Sequence, residues 1–383
     1  MVRRMIATIV GCISACAWLY LLFARGLFWR VAEAPSATGP MANARVTVVI
    51  PARNEAEGIA GTVTSLLTQD HPGPLGIVLV DDHSTDGTAD FARAAAQALG
   101  AEDRLDIIAA RDLPAGWTGK LWAMSEGLDR ARATAPDFIL LTDADITHAS
   151  DNVSTLVRRA VADDLDLTSL MVRLSTETLV EKALIPAFVF FFFMLYPPRW
   201  AANPRSKMAA AAGGCMLVRP AALEKIGGIA AIRGALIDDC SLAAAIKGTG
   251  GRIHLAPSTT TASSRVYGSA GEIWSMIART AFTQLHYSAL LLVGTVLGLA
   301  VTYLAPPLLA LFAPGPAAWL GLVAWGAMAA CFMPTVRLYR RHPAWAFALP
   351  AIAAFYATAT IGSAVNYWRG KGGQWKGRSQ AIR

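Results

Sequence analysis

The sequence is short of charge. Only 16% of its 383 residues are Asp, Glu, Lys or Arg, against 54% hydrophobic residues. That is too apolar for an ordinary soluble enzyme and too polar for a chain of membrane spans alone. Cysteine is scarce too: Cys12, Cys16, Cys215, Cys240 and Cys331 are odd in number, scattered and without metal-ligand spacing. This excludes a disulfide framework and favours reduced thiols on the cytoplasmic side. His71, His148, His254, His286 and His342 show no paired metal spacing, and no Ser/His/Asp or Cys/His arrangement emerges. The formal charge of +7 would suit nucleic acid. However, Arg3, Arg4, Arg25 and Arg30 flank one apolar run, and Arg337, Arg340, Arg341, Arg369, Lys371, Lys376 and Arg378 flank later ones. Cations in those places meet lipid headgroups. No basic face interleaved with aromatics appears between them, so no nucleic-acid partner is expected.

What is abundant is apolar length at both ends. Residues 5–23 carry no charge and follow two arginines. Ala32-Glu33-Ala34 resembles a signal-peptide cleavage site, yet the run exceeds the ~7–15 residues of a signal core and approaches the ~20 that span a bilayer. An uncleaved anchor is therefore expected. Further apolar blocks cover 288–312, 317–334 and 344–367; Pro306, Pro307 and Gly315 interrupt or separate them, so kinks or a short hairpin are expected. If each crosses once from a cytoplasmic domain, the Arg337–Arg341 loop falls inside and the basic tail outside. The positive-inside rule wants both inside, a conflict that a re-entrant or interfacial block would remove. Residues 184–196, with five phenylalanines and Pro186, Pro197 and Pro198 around them, are too short to span. They read either as a buried core helix or as an interfacial segment over 184–198 that presents a lipid. The expected division is an anchor and linker over 1–44, a soluble domain over 45–287, and a C-terminal membrane region with basic tail over 288–383.

The soluble domain alternates two periodicities. Arg45-VTVVIPA reads as a strand, 57–67 as a helix, Gly76-IVLVDD as a strand, 105–109 as another, 121–133 as a helix and FILLTDAD as a strand. Strands alternating with helices predict a parallel α/β sheet with ligands at the carboxyl ends of its strands. Polar clusters fall at those ends: Asn54 and Glu55, then Asp81 and Asp82, then Asp143 and Asp145. Each alone reads equally well as helix capping, and Asp82-His83-Ser84-Thr85-Asp86-Gly87 would cap well. Three clusters converging on one sheet edge favour a ligand site.

The runs VVIPARNE, VLVDDHSTDGT, GWTGKLWAMSEG and LLTDAD resemble, in order and spacing, the nucleotide-sugar-binding half of family-2 (GT-A fold) glycosyltransferases over residues 45–267. More narrowly, the anchor, the Phe-rich segment and the tail GGQWKGR resemble the hopene-associated glycosyltransferases of hopanoid biosynthesis. The resemblance implies a GT-A-like α/β fold and a membrane-bound, multi-pass enzyme of the inner membrane, its catalytic domain facing the cytoplasm. It would move a sugar, from a UDP-sugar by preference, to a hopanoid or related polyprenoid lipid.

Residue by residue, Asp143-Ala144-Asp145 matches the family's DxD, which implies Mg²⁺ or Mn²⁺ shared with the donor diphosphate. Asp82 or Asp81 matches the base and ribose contact, and Pro51, Ala52, Asn54 and Glu55 match the first nucleotide loop. Lys120 matches a position near the donor phosphates, with a plain surface lysine as the other reading; Ser125 stands where the family often has Asn. His83 fills a position where relatives place a small residue. Gly213 and Gly214 match an acceptor-side loop, or else mark a tight strand entry. Asp238-Asp239 matches the (E/D)D element, with Asp239 the candidate general base of an inverting transfer; the other reading is a helix cap. Of the Gln-x-x-Arg-Trp element of polymer-making relatives only Arg279 remains, where it would steady the diphosphate. Its lost neighbours favour single transfer over a processive synthase. A non-catalytic subunit that binds nucleotide sugars is the remaining alternative, disfavoured by the retention of both acidic pairs.

Overall fold

A computed structural model of the chain describes residues 1–31, 43–375 and 378–379. The 32–34 cleavage-like segment and Lys376 of the tail lie outside the described residues. The chain divides into two compact units. One comprises Met1–Val31, Thr176–Arg199 and Val266–Gly373; the other comprises Ala32–Ser175, Trp200–Arg265 and Gln374–Arg383.

The second unit is built on an eight-stranded sheet: β1 (Val46–Ala52), β2 (Leu75–Asp81), β3 (Leu105–Ala109), β4 (Phe138–Thr142), β5 (Ile146–His148), β6 (Leu167–Arg173), β7 (Cys215–Val218) and β8 (Ile253–Ser263). Its order is β3-β2-β1-β4-β7-β6-β8-β5. The expected parallel sheet holds for β3, β2, β1 and β4. Beyond β4 it becomes mixed, because β7 runs antiparallel to both β4 and β6, and β5 antiparallel to β8. Alternation along the strands fills both faces. Val46, Val48, Ile50, Phe138 and Leu140 pack with helices Ala56–Leu67 and Asn152–Ala162 through Ile59, Val63, Val153 and Leu156. Val49, Ile139 and Leu141 point the other way, onto Leu121, Met124 and Leu128 of helix Gly119–Ala131 and Leu242 and Ile246 of helix Asp238–Gly248.

The other unit gathers the apolar helices. Val2–Phe23, Leu179–Ala202, Ala289–Phe312, Pro316–Leu338 and Pro343–Trp368 are each long and apolar enough to cross a membrane. The Phe-rich segment is therefore longer than expected. Its helix begins at Leu179, where Thr178 and Glu181 form a reciprocal cap. The fully buried Glu181 carboxylate also accepts the N–H of Glu177 and of Tyr267, at 2.8 Å and 2.6 Å. Phe190 and Phe193 lie inside the unit, Phe190 against Phe28 and Phe332 at ring-centroid distances of 5.3 Å and 5.2 Å. Length alone would let 179–202 span. However, β6 precedes it and β7 follows it, and these two strands pair directly. A segment whose two ends enter one sheet cannot cross a bilayer a single time.

The prolines in 288–312 interrupt the helix as expected, through a π-turn at Ala300–Leu304. Pro306 has no N–H for the Thr302 carbonyl. Trp18 Nε1 donates to that carbonyl instead at 2.6 Å, and Ser14 Oγ to Val301 O at 2.7 Å. In an apolar setting such freed carbonyls need a protein partner. All five cysteines are free.

Candidate active site

The cluster forms where the parallel strands end. Asp143 follows the last residue of β4 directly. Lys120 lies in the first turn of helix Gly119–Ala131, whose cap Thr118 accepts the N–H of Leu121 at 3.4 Å. Gly127 lets this helix lie close on the sheet, since a Cβ there would overlap Val49 and Val80. The close approach fixes where Lys120 stands. Its Nζ is 2.8 Å from Asp143 Oδ1 and 3.0 Å from Asp238 Oδ2. Burial alone would lower the lysine pKa, but the two carboxylates outweigh it and hold the ammonium well above its ordinary value.

Asp238 and Asp239 occupy the first turn of helix Asp238–Gly248. Asp239 Oδ2 accepts the Gly213 N–H at 2.9 Å and Oδ1 the Cys240 N–H at 2.7 Å. Burial, and next the Asp238 charge, push Asp239 up to about 6, against the opposing pull of Lys120 and the two amides. A Cβ on Gly213 would stand 3.4 Å from Asp239 Oδ2 and 3.5 Å from Lys120 Nζ, so the missing side chain keeps this space open. Gly214 is needed for packing: a Cβ there would press on Val172 at 2.9 Å.

The Asp143–Asp145 turn is braced from behind. Ser263 Oγ donates to Asp145 Oδ2 at 2.9 Å, Ser264 Oγ to Asp145 O at 3.0 Å, and Thr62 Oγ1 to Ala144 O at 2.8 Å. None of these three was legible in the sequence, because their partners lie 82 to 119 residues away.

The loops after β1 and β2 interlock. Asn54, at φ 51°, accepts the Thr85 N–H on Oδ1 at 2.9 Å, while its own N–H donates to Ser84 Oγ at 3.0 Å. Asp81 Oδ1 accepts the Ser84 N–H at 3.0 Å. Asp82 is 1% exposed, with His83 Nδ1 3.1 Å from Oδ1 and Arg53 Nη1 donating to its carbonyl. The Glu55 N–H donates to Thr88 Oγ1 at 2.9 Å. The capping alternative belongs to Asp86, which takes the Ala56 N–H and the Thr88 hydroxyl; burial opposes these bonds but they lower its pKa overall. Pro51 and Ala52 do not lie in a loop. They close β1, buried, because the pairing with β2 continues past the β-branched run to set them against Val80 and Asp81.

The chain thus brings Lys120, Asp143, Asp145, Gly213, Gly214, Asp238 and Asp239 together, with Asn54, Glu55, Asp81 and Asp82 on the neighbouring strand ends. Arg279 belongs to the other unit, exposed at the C-terminus of helix Ala270–Ala278.

Residues 47–227 match the family model described as Glycosyl transferase family 2. The match covers just under half of the chain, all of it ahead of Asp238 and Asp239. The glycosyltransferase-like domain has curated relatives. One is a 4,4'-diaponeurosporenoate glycosyltransferase of Staphylococcus aureus (strain bovine RF122 / ET3-1), 29% identical over 41% of this chain and 37% of the relative. Its counterpart in strain USA300 is 31% identical over 30% of this chain and 28% of the relative. The chain is therefore matched over well under half the length of these relatives. Among solved structures, a mannosyltransferase from Pyrobaculum calidifontis in complex with GDP-Man and Mn²⁺ superimposes with a TM-score of 0.56 at 21% identity, over 93% of this chain and 99% of that one. At that identity the likeness is one of fold, and the fold is GT-A-like α/β.

Proposed function

We propose that the chain is a membrane-bound inverting glycosyltransferase that moves a sugar from a nucleotide-sugar donor, UDP-linked by preference, onto a lipid acceptor, with its catalytic domain facing the cytoplasm. The observation that carries the reading is the convergence of two acidic elements far apart in sequence, Asp143 and Asp238, on Lys120, with Asp239 pinned beside them by Gly213. The family match over 47–227 supports the donor side, and five helices of membrane-spanning length support a membrane-bound acceptor. The relatives' acceptor, 4,4'-diaponeurosporenoate, is lipid-like, in keeping with a hopanoid or related polyprenoid here.

Asp143 and Asp145 offer the oxygen ligands that Mg²⁺ or Mn²⁺ takes. Among the described residues no group of three or more His, Cys, Asp or Glu could hold an ion unaided. That suits an ion completing its shell with donor phosphates. When bound, such a metal neutralises charge on the departing nucleoside diphosphate. Lys120, released from Asp143, turns its ammonium to the same phosphates. Asn54, Glu55, Asp81 and Asp82 line the base and ribose side, and in the glycine loop Gly213 leaves room for the sugar and acceptor while Gly214 seats the loop on Val172. Asp239 takes the proton of the acceptor hydroxyl as that oxygen attacks the anomeric carbon. The C–O bond to diphosphate breaks as the new glycosidic bond forms, so configuration inverts and no covalent enzyme intermediate is required.

The test is transfer by purified protein in lipid, with labelled UDP- and GDP-sugars, Mg²⁺ or Mn²⁺, and a hopanoid-containing lipid extract. Label in the lipid fraction that disappears in Asp239→Asn is expected. Donor binding without transfer, unchanged in Asp239→Asn, would favour a non-catalytic binding subunit instead.

A further inference from the structure

Behind the acidic cluster lies a buried chain of polar side chains that the transfer chemistry does not use. His148 closes β5 and is 5% exposed; Thr142 closes β4 at 2%, and Asn152 begins its helix at 1%. Thr142 Oγ1 donates to Gly214 O at 2.7 Å, so its proton is committed. It must then accept from His148 Nε2, 3.1 Å away, which places the ring hydrogen on Nε2. Nδ1 is left as an acceptor and takes the Asn152 amide N–H at 3.0 Å. Asn152 Oδ1 in turn accepts the Thr260 hydroxyl at 3.1 Å. Every donor points one way, from β8 through His148 to the glycine loop. Burial lowers the imidazole pKa to about 4, in keeping with the neutral ring that this order requires.

The place where the chain ends matters. The β4–β7 ladder stops at the pair Thr142 and Cys215. Just past it stand Asp143 on one strand and Gly213 and Gly214 on the other, beyond the reach of strand pairing. Gly213 N–H holds Asp239, and Asp143 holds Lys120. The Thr142 hydroxyl, oriented by His148, is the side-chain tie between the two at that open end.

We propose that His148 is a positioning residue that, through Thr142, clamps the glycine loop to the end of β4 and so fixes Asp239 relative to the Asp143 side. The inference rests on the transferase reading for its kinetic consequence, but the clamp itself has a readout independent of activity.

The experiment uses the full-length protein in lipid and four variants. His148→Asn keeps the acceptor facing Asn152 and loses the donor to Thr142. His148→Gln keeps a donor toward Thr142 and loses the acceptor. Thr142→Val removes the hydroxyl, and Thr142→Ser restores it. A misplacement of about 1 Å caused away from the chemistry can cost on the order of 10²-fold. His148→Asn and Thr142→Val are expected to lower kcat by up to about 10²-fold with donor KM little changed, while His148→Gln and Thr142→Ser recover most of the rate. Amide hydrogen exchange in the peptide carrying Gly213 and Gly214 is expected to speed up in the first pair and not in the second. If the parent transfers no sugar, the exchange pattern still decides the clamp. Equal losses in His148→Asn and His148→Gln that track their melting temperatures, with exchange in the glycine loop unchanged, would overturn it.

Discussion

At the scale of single residues, the site is a matter of which acids share which cation. Lys120 serves Asp143 and Asp238, while Asp239 relies on two backbone amides and is raised to about 6 by burial and by Asp238. A general base works only when deprotonated, so transfer should fall as pH drops through about 6. A kcat/KM profile read between pH 5 and 8 checks this, and Asp239→Asn should lower kcat by about 10²–10⁴-fold throughout. Lys120 acts in the opposite sense on Asp239, lowering its pKa. Lys120→Met is therefore expected to move the acid limb upward and to raise donor KM. An unmoved limb with an unchanged KM would leave Lys120 a structural counter-ion of Asp143 and Asp238 with no part in donor binding. Asp81-Asp82 and Asp143-Asp145 were legible because short polar runs after apolar strands stand out in any sequence, whereas Asp238-Asp239, at a helix start, stood out only through the family resemblance. His148 was not legible. A lone histidine three residues past Asp145 carries no pattern, and its ring meets Thr142 and Asn152 only once the sheet and the following helix are folded.

At the scale of elements, helix Gly119–Ala131 sets the geometry of the cluster. Gly127 allows the helix to rest on Val49 and Val80, and the same seating delivers Lys120 to Asp143. Gly127→Ala gains up to about 1 kcal/mol in helix propensity. It loses about 1–3 kcal/mol to overpacking, so a lower melting midpoint and a raised donor KM are expected together. An unchanged midpoint would mean the helix shifts freely, contrary to the packing described.

The strands from β1 to β4 were legible from β-branched runs of strand length. The antiparallel half was not, since β5 and β7 have only 3 and 4 residues and carry too little pattern to show direction. The prolines at 306 and 307 announced an interruption, but not that Trp18 and Ser14 would satisfy the carbonyls near it. Such pairings between distant segments leave no mark on local sequence.

At the scale of the whole molecule, the sheet constrains the membrane. Because β6 and β7 pair, both ends of Leu179–Ala202 must emerge on one side of a bilayer, although its length would let it cross. Single cysteines at Glu177 and Arg205, in a chain with Cys12 and Cys16 replaced, should react with an impermeant maleimide from the same side. Labelling from opposite sides would contradict the strand pairing. The sequence suggested that this segment does not span because it looked short; the reason lies in topology.

The central claim, a nucleotide-sugar transferase acting on a membrane lipid, is tested most directly by lipid labelling. Purified protein in a bilayer would receive labelled UDP- and GDP-sugars with a divalent cation and a hopanoid-containing extract, and the lipid phase would be counted. The account predicts label in a lipid product, dependent on metal and lost in Asp239→Asn. Label appearing only in water-soluble product, or equally in Asp239→Asn, would contradict it.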